Sequence, residues 1–266
     1  MNAAAVTPAT APAVVAQAVS KHYAGERGVL ALTNVSTGIA AGQFVSILGP
    51  SGCGKSTFLR CVAGLESISE GMLRVNGQPV QGPPAGVGMV FQRDALLEWR
   101  NIRRNILLPV ELAHKPLDAY EDKVDALLRL AGLADFGNSW PRELSGGMRQ
   151  RAAVCRALID DPALLLMDEP FGALDAFTRD QMNVELQRIW MQTRNAVLFV
   201  THSIAEAVWL GDAVMVFSPR PGRLLETIPI DLPRPRTLAL RETAEFGRYT
   251  AHIRSLFDAM DAGEQP

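Results

Sequence analysis

The chain has 266 residues, 48% of them apolar, and a formal net charge of −2. That is enough length and apolar mass for one large α/β domain. The balanced charge gives no general reason to expect nucleic acid or an acidic membrane surface as a partner.

Residues 1–13 are rich in Ala, Thr and Pro and lack the basic start and long apolar run of a secretory signal, so they read as a disordered lead-in. Phe44-Val45-Ser46-Ile47-Leu48 reads as a strand feeding a glycine-rich loop, and Thr57 to Ala63 as the helix leaving it. Met89-Val90-Phe91, Leu164 to Met167, Val197 to Thr201 and Val214 to Phe217 are short apolar runs of the kind buried on both faces of a sheet. Strands alternating with helical stretches favour a parallel sheet covered by helices. Between about residues 93 and 156 the strand signal fades. Val124, Leu127, Leu128 and Leu130 share one side of a helix that ends near Gly132, so this stretch reads as a helical subdomain inserted into the α/β core. Near the end, Phe246, Tyr249, Ile253, Phe257 and Met260 recur at three- and four-residue steps. They predict an amphipathic helix that docks on the protein, since its polar face is not strongly basic. The longest apolar runs, such as Ala196 to Val200, are far short of a bilayer span, so membrane work would go through a partner. Cys53, Cys61 and Cys155 follow neither metal-site nor disulfide spacing, as in a reducing, cytosolic setting. Cys155 falls on the stripe Met148, Ala152, Cys155, Ile159 and reads as core, whereas His114 and His252 read as surface residues without ligand partners.

Three elements carry chemistry. Gly49-Pro50-Ser51-Gly52-Cys53-Gly54-Lys55-Ser56 matches G-x-x-x-x-G-K-S without a mismatch. Its glycines let backbone N–H groups point inward around phosphate oxygens, and the helix start adds positive potential. Lys55 would bridge the β- and γ-phosphates of ATP, and the Ser56 hydroxyl would ligate Mg²⁺. Cys53, inside the loop beside Lys55 and a helix start, has surroundings that can lower a thiol's pKa, so its alkylation is expected to block nucleotide binding. Next, the strand Leu164 to Met167 ends in Asp168-Glu169-Pro170. A buried strand ending in two acids places them at the carboxyl edge of the sheet, where ligands bind. Asp168 would hold the Mg²⁺ shell and Glu169 would polarise the attacking water. Third is Leu144-Ser145-Gly146-Gly147-Met148-Arg149-Gln150-Arg151. Ser145 can cap a helix that runs to about Ile159 and stops before Pro162. Gly146 and Gly147 leave room for an anion at that helix start, although alone this sequence reads first as an ordinary cap.

Taken in this order, from about Val14 to Arg236, these motifs resemble the ATP-binding subunits of ABC transporters. The resemblance implies an α/β P-loop NTPase with a RecA-like core: a parallel central sheet, an antiparallel N-terminal β part and the inserted helical subdomain. The ATPase domain would span 14–240, with an amphipathic helix and tail over 241–266. It also implies a head-to-tail dimer, in which the loop of one copy (Gly49 to Thr57) and Ser145, Gly146 and Gly147 of the other sandwich each Mg-ATP. Gln92 resembles the family's Q-loop glutamine, which senses Mg²⁺ and the attacking water. Asp175, in Ala173-Leu174-Asp175, resembles the D-loop aspartate that links the two sites, and His202 the switch histidine that contacts the γ-phosphate. Tyr23 resembles the aromatic that stacks on adenine, a position a surface tyrosine would also explain.

Asp94 to Asn101 resembles the surface on which a membrane permease subunit docks its coupling helix, the docking expected near Leu96 to Asn101. Trp99 belongs either to that surface or to the interior of the helical subdomain. Ser218-Pro219-Arg220-Pro221-Gly222-Arg223 and Asp231-Leu232-Pro233-Arg234-Pro235-Arg236 resemble the ending of the nitrate/sulfonate/taurine importer ATPases. A Pro-Gly hairpin and a proline-rich exit strand would read alike. Glu98 departs from that subfamily, which usually has proline before the tryptophan. The implied function is to energise uptake of a small anion such as nitrate, a sulfonate or taurine. The subunit would work peripherally at the cytoplasmic face of the inner membrane, with an extracytoplasmic substrate-binding protein acting indirectly and no nucleic acid bound. Alternatives are an ABC ATPase with another cargo, an exporter, or a non-transport relative. A P-loop kinase would need an acceptor site and has no use for Ser145 to Gly147. A chromosome-organising ATPase would carry long heptad arms in the insertion, and a translation-factor relative usually holds two cassettes.

Overall fold

The computed structural model describes residues 12–24 and 28–261. Most of the expected lead-in (residues 1–11) and the last residues of the tail (262–266) lie outside the described residues. Ala13, at the end of that expected lead-in, is buried, and its carbonyl accepts from Asn76 N at 2.9 Å.

The N-terminal part is antiparallel: β1 (Val14–Tyr23), β2 (Val29–Ile39), β4 (Glu70–Val75) and β5 (Gln78–Pro79) lie in the order β2-β1-β4-β5. The central sheet takes β3 (Phe44–Leu48), β6 (Val87–Val90), β7 (Leu164–Asp168), β8 (Ala196–Val200), β9 (Ala213–Phe217) and β10 (Leu224–Pro229) in the order β10-β9-β3-β8-β7-β6. All its pairings are parallel except β9–β10. The reading as doubly buried strands fits every residue of β3, β7, β8 and β9. Strand alternation divides their side chains between two cores. Val45, Ile47, Leu166, Leu198 and Met215 pack with the N-terminal sheet and with Phe58 and Leu59 of α1 (Lys55–Val62). Phe44, Leu165, Met167, Val197, Phe199 and Val214 face the remaining helices.

Between the paired strands β6 and β7 the chain leaves the sheet. It builds α2 (Ile102–Ile106), α3 (Leu108–Leu112), α4 (Glu121–Leu130) and α5 (Gly146–Leu158). Val124, Leu127 and Leu128 of α4 are buried, and they join Ile102, Val110 and Cys155 in the same core that covers the sheet. Then α6 (Ala176–Thr193), α7 (Ile204–Leu210) and α8 (Ala244–Asp261) complete that layer. The tail helix docks as its periodicity predicts: Phe246 and Ile253 are buried, with Tyr249, Phe257 and Met260 packed beside them. Each fully buried side chain of this size contributes about 1.5–3 kcal/mol.

Two expectations shift. Phe91 was expected inside a strand, but β6 ends at Val90 and Phe91 is 42% exposed. The loop helix starts at Lys55, two residues earlier than expected, because Gly54 already provides its N-cap. The proline-rich exit segment also has a structural task. Arg236 is buried and donates to the carbonyls of Val208, Trp209 and Gly211, which would otherwise be unpaired at the end of α7.

Candidate active site

The site grows from the carboxyl edge of the central sheet, where β3, β7 and β8 end side by side. After β3 the chain turns through Gly52 (φ 74°) and Gly54 (φ 109°), conformations that favour glycine. A Cβ on Gly54 would also stand 2.7 Å from the Ala31 carbonyl. Lys55 then opens α1. Its ammonium, on a residue only 5% exposed, donates to the carbonyls of Gly49 at 2.8 Å and Pro50 at 3.0 Å. A buried charge needs such partners, so the cation is already held within the loop.

Across from it, the Ser56 hydroxyl donates to Asp168 Oδ1 at 2.7 Å. Asp168 ends β7 and is 9% exposed. Next to it, Glu169 turns out of the strand at φ 43°, a backbone state that costs of order 1–3 kcal/mol in a non-glycine residue. Its N–H is held by Val200 O at 3.0 Å, and its Oε2 lies 3.4 Å from Nδ1 of His202, which follows β8. That histidine side chain is 52% exposed, so the pair is a weak one. The residues flanking His202 are fixed instead: Ser203 N donates to Thr201 Oγ1 at 3.0 Å, and Thr201 Oγ1 bonds the buried Glu206.

A cleft of about 260 Å³ runs over this edge, lined by Tyr23, Ser51, Gly52, Lys55, Ser56 and Glu169 among others. Gly54, Thr57 and Arg220 also line it, with Val29 and Ala31. The cleft therefore has an aromatic ring, a cation-bearing loop and a carboxylate on one continuous surface. Tyr23 is half-buried there, and Lys21 Nζ lies 4.8 Å from its ring centroid. Gly49, Pro50 and Cys53 do not line the cleft.

The cysteine requires a correction. Cys53 is buried among the side chains beneath the loop, and burial pushes its thiol pKa up, outweighing the attraction of Lys55. Proximity in sequence suggested an activated thiol; the side chain points the other way.

Other candidates lie elsewhere. Gln92 is exposed past the end of β6 and does not line the cleft. Ser145 caps α5, its Oγ accepting from Met148 N at 3.3 Å, and Asp175 caps α6, accepting from Thr178 N at 2.9 Å. Both residues are exposed, and neither lines the cleft. Gly146 is open to solvent, but Gly147 is buried: a Cβ there would stand 3.2 Å from Thr178 Cγ2. The second glycine thus permits α5 to approach α6, a reason that a reading of α5 alone does not contain.

Trp99 is 72% exposed, which excludes its burial in the helical insertion. The segment carrying it is tied to α5. Arg149 Nε donates to Asp94 Oδ2 at 2.9 Å, and Arg156 donates to the carbonyls of Asp94 and Ala95 at 2.8 and 2.6 Å. His114 is exposed as expected, whereas His252 is exposed but has a partner, Glu226, at 3.1 Å. Cys155 is core, its thiol pushed up to about 12 by burial. Arg220 and Glu206 escaped the sequence reading as site residues.

Comparison with known proteins identifies the family. The family model described as ABC transporter matches residues 32–172, more than half of the chain. The chain belongs to the ABC transporter ATP-binding family. A taurine import ATP-binding protein of Rhizobium johnstonii is 47% identical over 208 residues, 78% of this chain and 79% of that protein. A nitrate import ATP-binding protein of Synechocystis sp. is 40% identical over 253 residues, 92% and 95% of the two chains. Among solved structures, a dimeric ATP-binding cassette in a post-hydrolysis state with ADP and Pi superposes with a TM-score of 0.71 at 29% identity. It covers 83% of this chain and is itself covered completely. As a member of this family the chain is an ATP-binding subunit whose enzymatic activity, ATP hydrolysis, is coupled to transport. No helix among the described residues is long and apolar enough to cross a membrane.

Proposed function

We propose that two copies of this ABC ATPase close head to tail on two ATP molecules and so drive the membrane subunits of an importer. The observation that carries this reading is the division of the site. Each chain has a phosphate-binding cleft with its own cation and carboxylate, while the capped start of α5 lies exposed and away from that cleft. Head-to-tail pairing supplies each cleft with the Ser145–Gly147 amides of the other copy. The cassette bound to ADP and Pi is a structural relative that is likewise dimeric.

In this reading Tyr23 stacks on adenine, and the amides from Gly49 to Thr57 wrap the phosphates. Lys55 neutralises charge on the transferring phosphoryl group, where pre-placed cations are most effective. Mg²⁺ fits the donor set: Ser56 Oγ and Asp168 Oδ1 are hard oxygen ligands already adjacent, and this ion takes few protein ligands beside phosphate oxygens. When bound, it would supply Lewis-acid neutralisation of the phosphate charge. Glu169 orients and polarises the attacking water, and His202 reads the γ-phosphate beside it. Gln92 joins this set only when its segment moves, and Asp175 couples the two sites. Closure therefore precedes chemistry.

The segment Leu96 to Asn101 is the permease-docking element: Glu98 and Trp99 are its exposed residues, while Leu96 is buried and anchors it in the core. The tie of Asp94 to Arg149 links it to the first turn of α5, and the ties of Asp94 and Ala95 to Arg156 link it to the last. In this reading the subunit works peripherally at the cytoplasmic face of the membrane. The names of the taurine and nitrate import relatives support a small anion as cargo; its delivery by an extracytoplasmic binding protein is a further part of the proposal.

The test is Pi release from Mg-ATP against protein concentration, for wild type and Glu169→Gln together. We expect a faster-than-linear rise in wild type, and at least roughly a hundredfold loss in the variant, which still binds ATP and accumulates as a closed dimer. A monomer that hydrolyses ATP, or near-normal turnover by Glu169→Gln, would overturn the reading.

A further inference from the structure

Resting on the nucleotide site described above, we propose that Arg220 is a nucleotide-binding residue, a second cation on the phosphate chain at the rim of the cleft whose floor holds Lys55. The turn from Ser218 to Arg223 joins β9 to β10, and β9 is paired with β3, so the turn emerges beside the phosphate loop. It is clamped there. Gly222 N donates to Ala31 O at 2.9 Å and Thr33 N donates to Gly222 O at 3.0 Å. Within the turn, Arg223 N donates to Ser218 Oγ at 3.0 Å. A Cβ on Gly222 would stand 2.1 Å from the Cys53 carbonyl, so the turn and the loop are in backbone contact.

On this fixed base, Arg220 Nε donates to the Gly52 carbonyl at 3.2 Å, and the side chain lines the cleft with Tyr23, Ser51 and Glu169. One of the five guanidinium N–H groups is thereby used to aim the group. The other four, on Nη1 and Nη2, form the fork that matches phosphate oxygens. Lys55 is buried and already bonded to loop carbonyls, whereas Arg220 is exposed. A nucleotide entering the cleft meets the arginine first.

The alternative role, a pin that only stiffens the loop through Gly52, is separable. Nucleotide titrations with ATP, ADP and AMP are made in EDTA, without hydrolysis, on wild type, Arg220→Gln and Arg220→Ala. The glutamine variant retains a neutral donor for Gly52 O without the charge. We expect both variants to lose about tenfold in ATP affinity, the scale of an exposed charge-assisted contact. The loss should shrink from ATP to AMP and fade towards 1 M salt, with the melting temperature unchanged. Wild-type ATP affinity in Arg220→Ala would overturn the proposal, and so would full rescue by Arg220→Gln or a loss independent of salt. If wild type itself binds none of the three nucleotides, the site reading fails as well, an outcome distinct from a wild type that binds and variants that bind equally.

Discussion

The phosphate loop and the start of α5 are both glycine-rich helix entrances, yet the fold treats them in opposite ways. Around the loop, polar groups are buried or half-buried and paired within the protein: Lys55 with Gly49 and Pro50, Ser56 with Asp168, Glu169 N with Val200. At the start of α5, Ser145 and Gly146 are exposed. The Ser145 hydroxyl is satisfied within its own turn, as is Asp175 at α6. One region is preorganised for a ligand; the other is stable without one and available to a second molecule. Under the proposed function, this division lets each monomer hold nucleotide while hydrolysis waits for closure.

The comparison breaks most visibly at Lys55. Replacing it with Ala removes the pre-placed cation and leaves two loop carbonyls without their donor. ATP affinity of the isolated monomer is expected to fall roughly a hundredfold or more, as read by titration. Affinity within a few-fold of wild type would mean that the loop amides alone bind phosphate.

Gly146→Ala tests the other region. The added Cβ meets nothing nearer than Leu174 Cδ2 at 3.7 Å, and alanine favours a helix over glycine by roughly 0.5–1 kcal/mol. The variant should melt at or slightly above the wild-type temperature and bind ATP normally, yet release Pi about tenfold more slowly. In Gly147→Ala, by contrast, the new Cβ stands 3.2 Å from Thr178 Cγ2, so the neighbouring side chain must give way and that variant should melt below Gly146→Ala. Equal melting behaviour in the two variants, or unimpaired Pi release by Gly146→Ala, would erase the contrast between the regions.

What sequence made legible follows the same division. The loop, the acidic strand end and the Ser145 cap are local: strand, turn and helix sit within a few residues, so spacing alone locates them. The tail helix was legible because its apolar period is long and regular. Long-range consequences were hidden. Arg220 reaches the cleft only because β9 pairs with β3, and Gly147 matters to packing only because α6 lies against α5. Glu206 fixes the backbone beside His202 through Thr201, a contact that a helix-internal glutamate does not advertise. Trp99 could be read both ways because amino-acid type does not say which side of a loop faces out.

The smallest expected effect concerns the thiols, and it asks how dry the preorganised side is. Cys53 lies beneath the loop with its pKa raised by burial despite Lys55; burial pushes Cys61 up to about 11 and Cys155 up to about 12. Because the thiolate is the reactive form, a maleimide at pH 8 should label all three slowly in the native protein and rapidly in denaturant. Mg-ATP should leave the native rate at Cys53 unchanged within about twofold, since the side chain is not in the cleft. The pH sign follows from the same shifts. Folding favours the neutral thiols, so their stabilisation is fully present below the ordinary value of 9.0 and is lost as pH rises from there through about 11 and 12. Melting temperature should therefore decline above pH 9 less steeply in a Cys155→Ala variant than in wild type, when each is measured against its own value at pH 7. Rapid native labelling of Cys53 that ATP suppresses would put the thiol in the cleft, and the loop would then be less closed underneath than its hydrogen bonds imply.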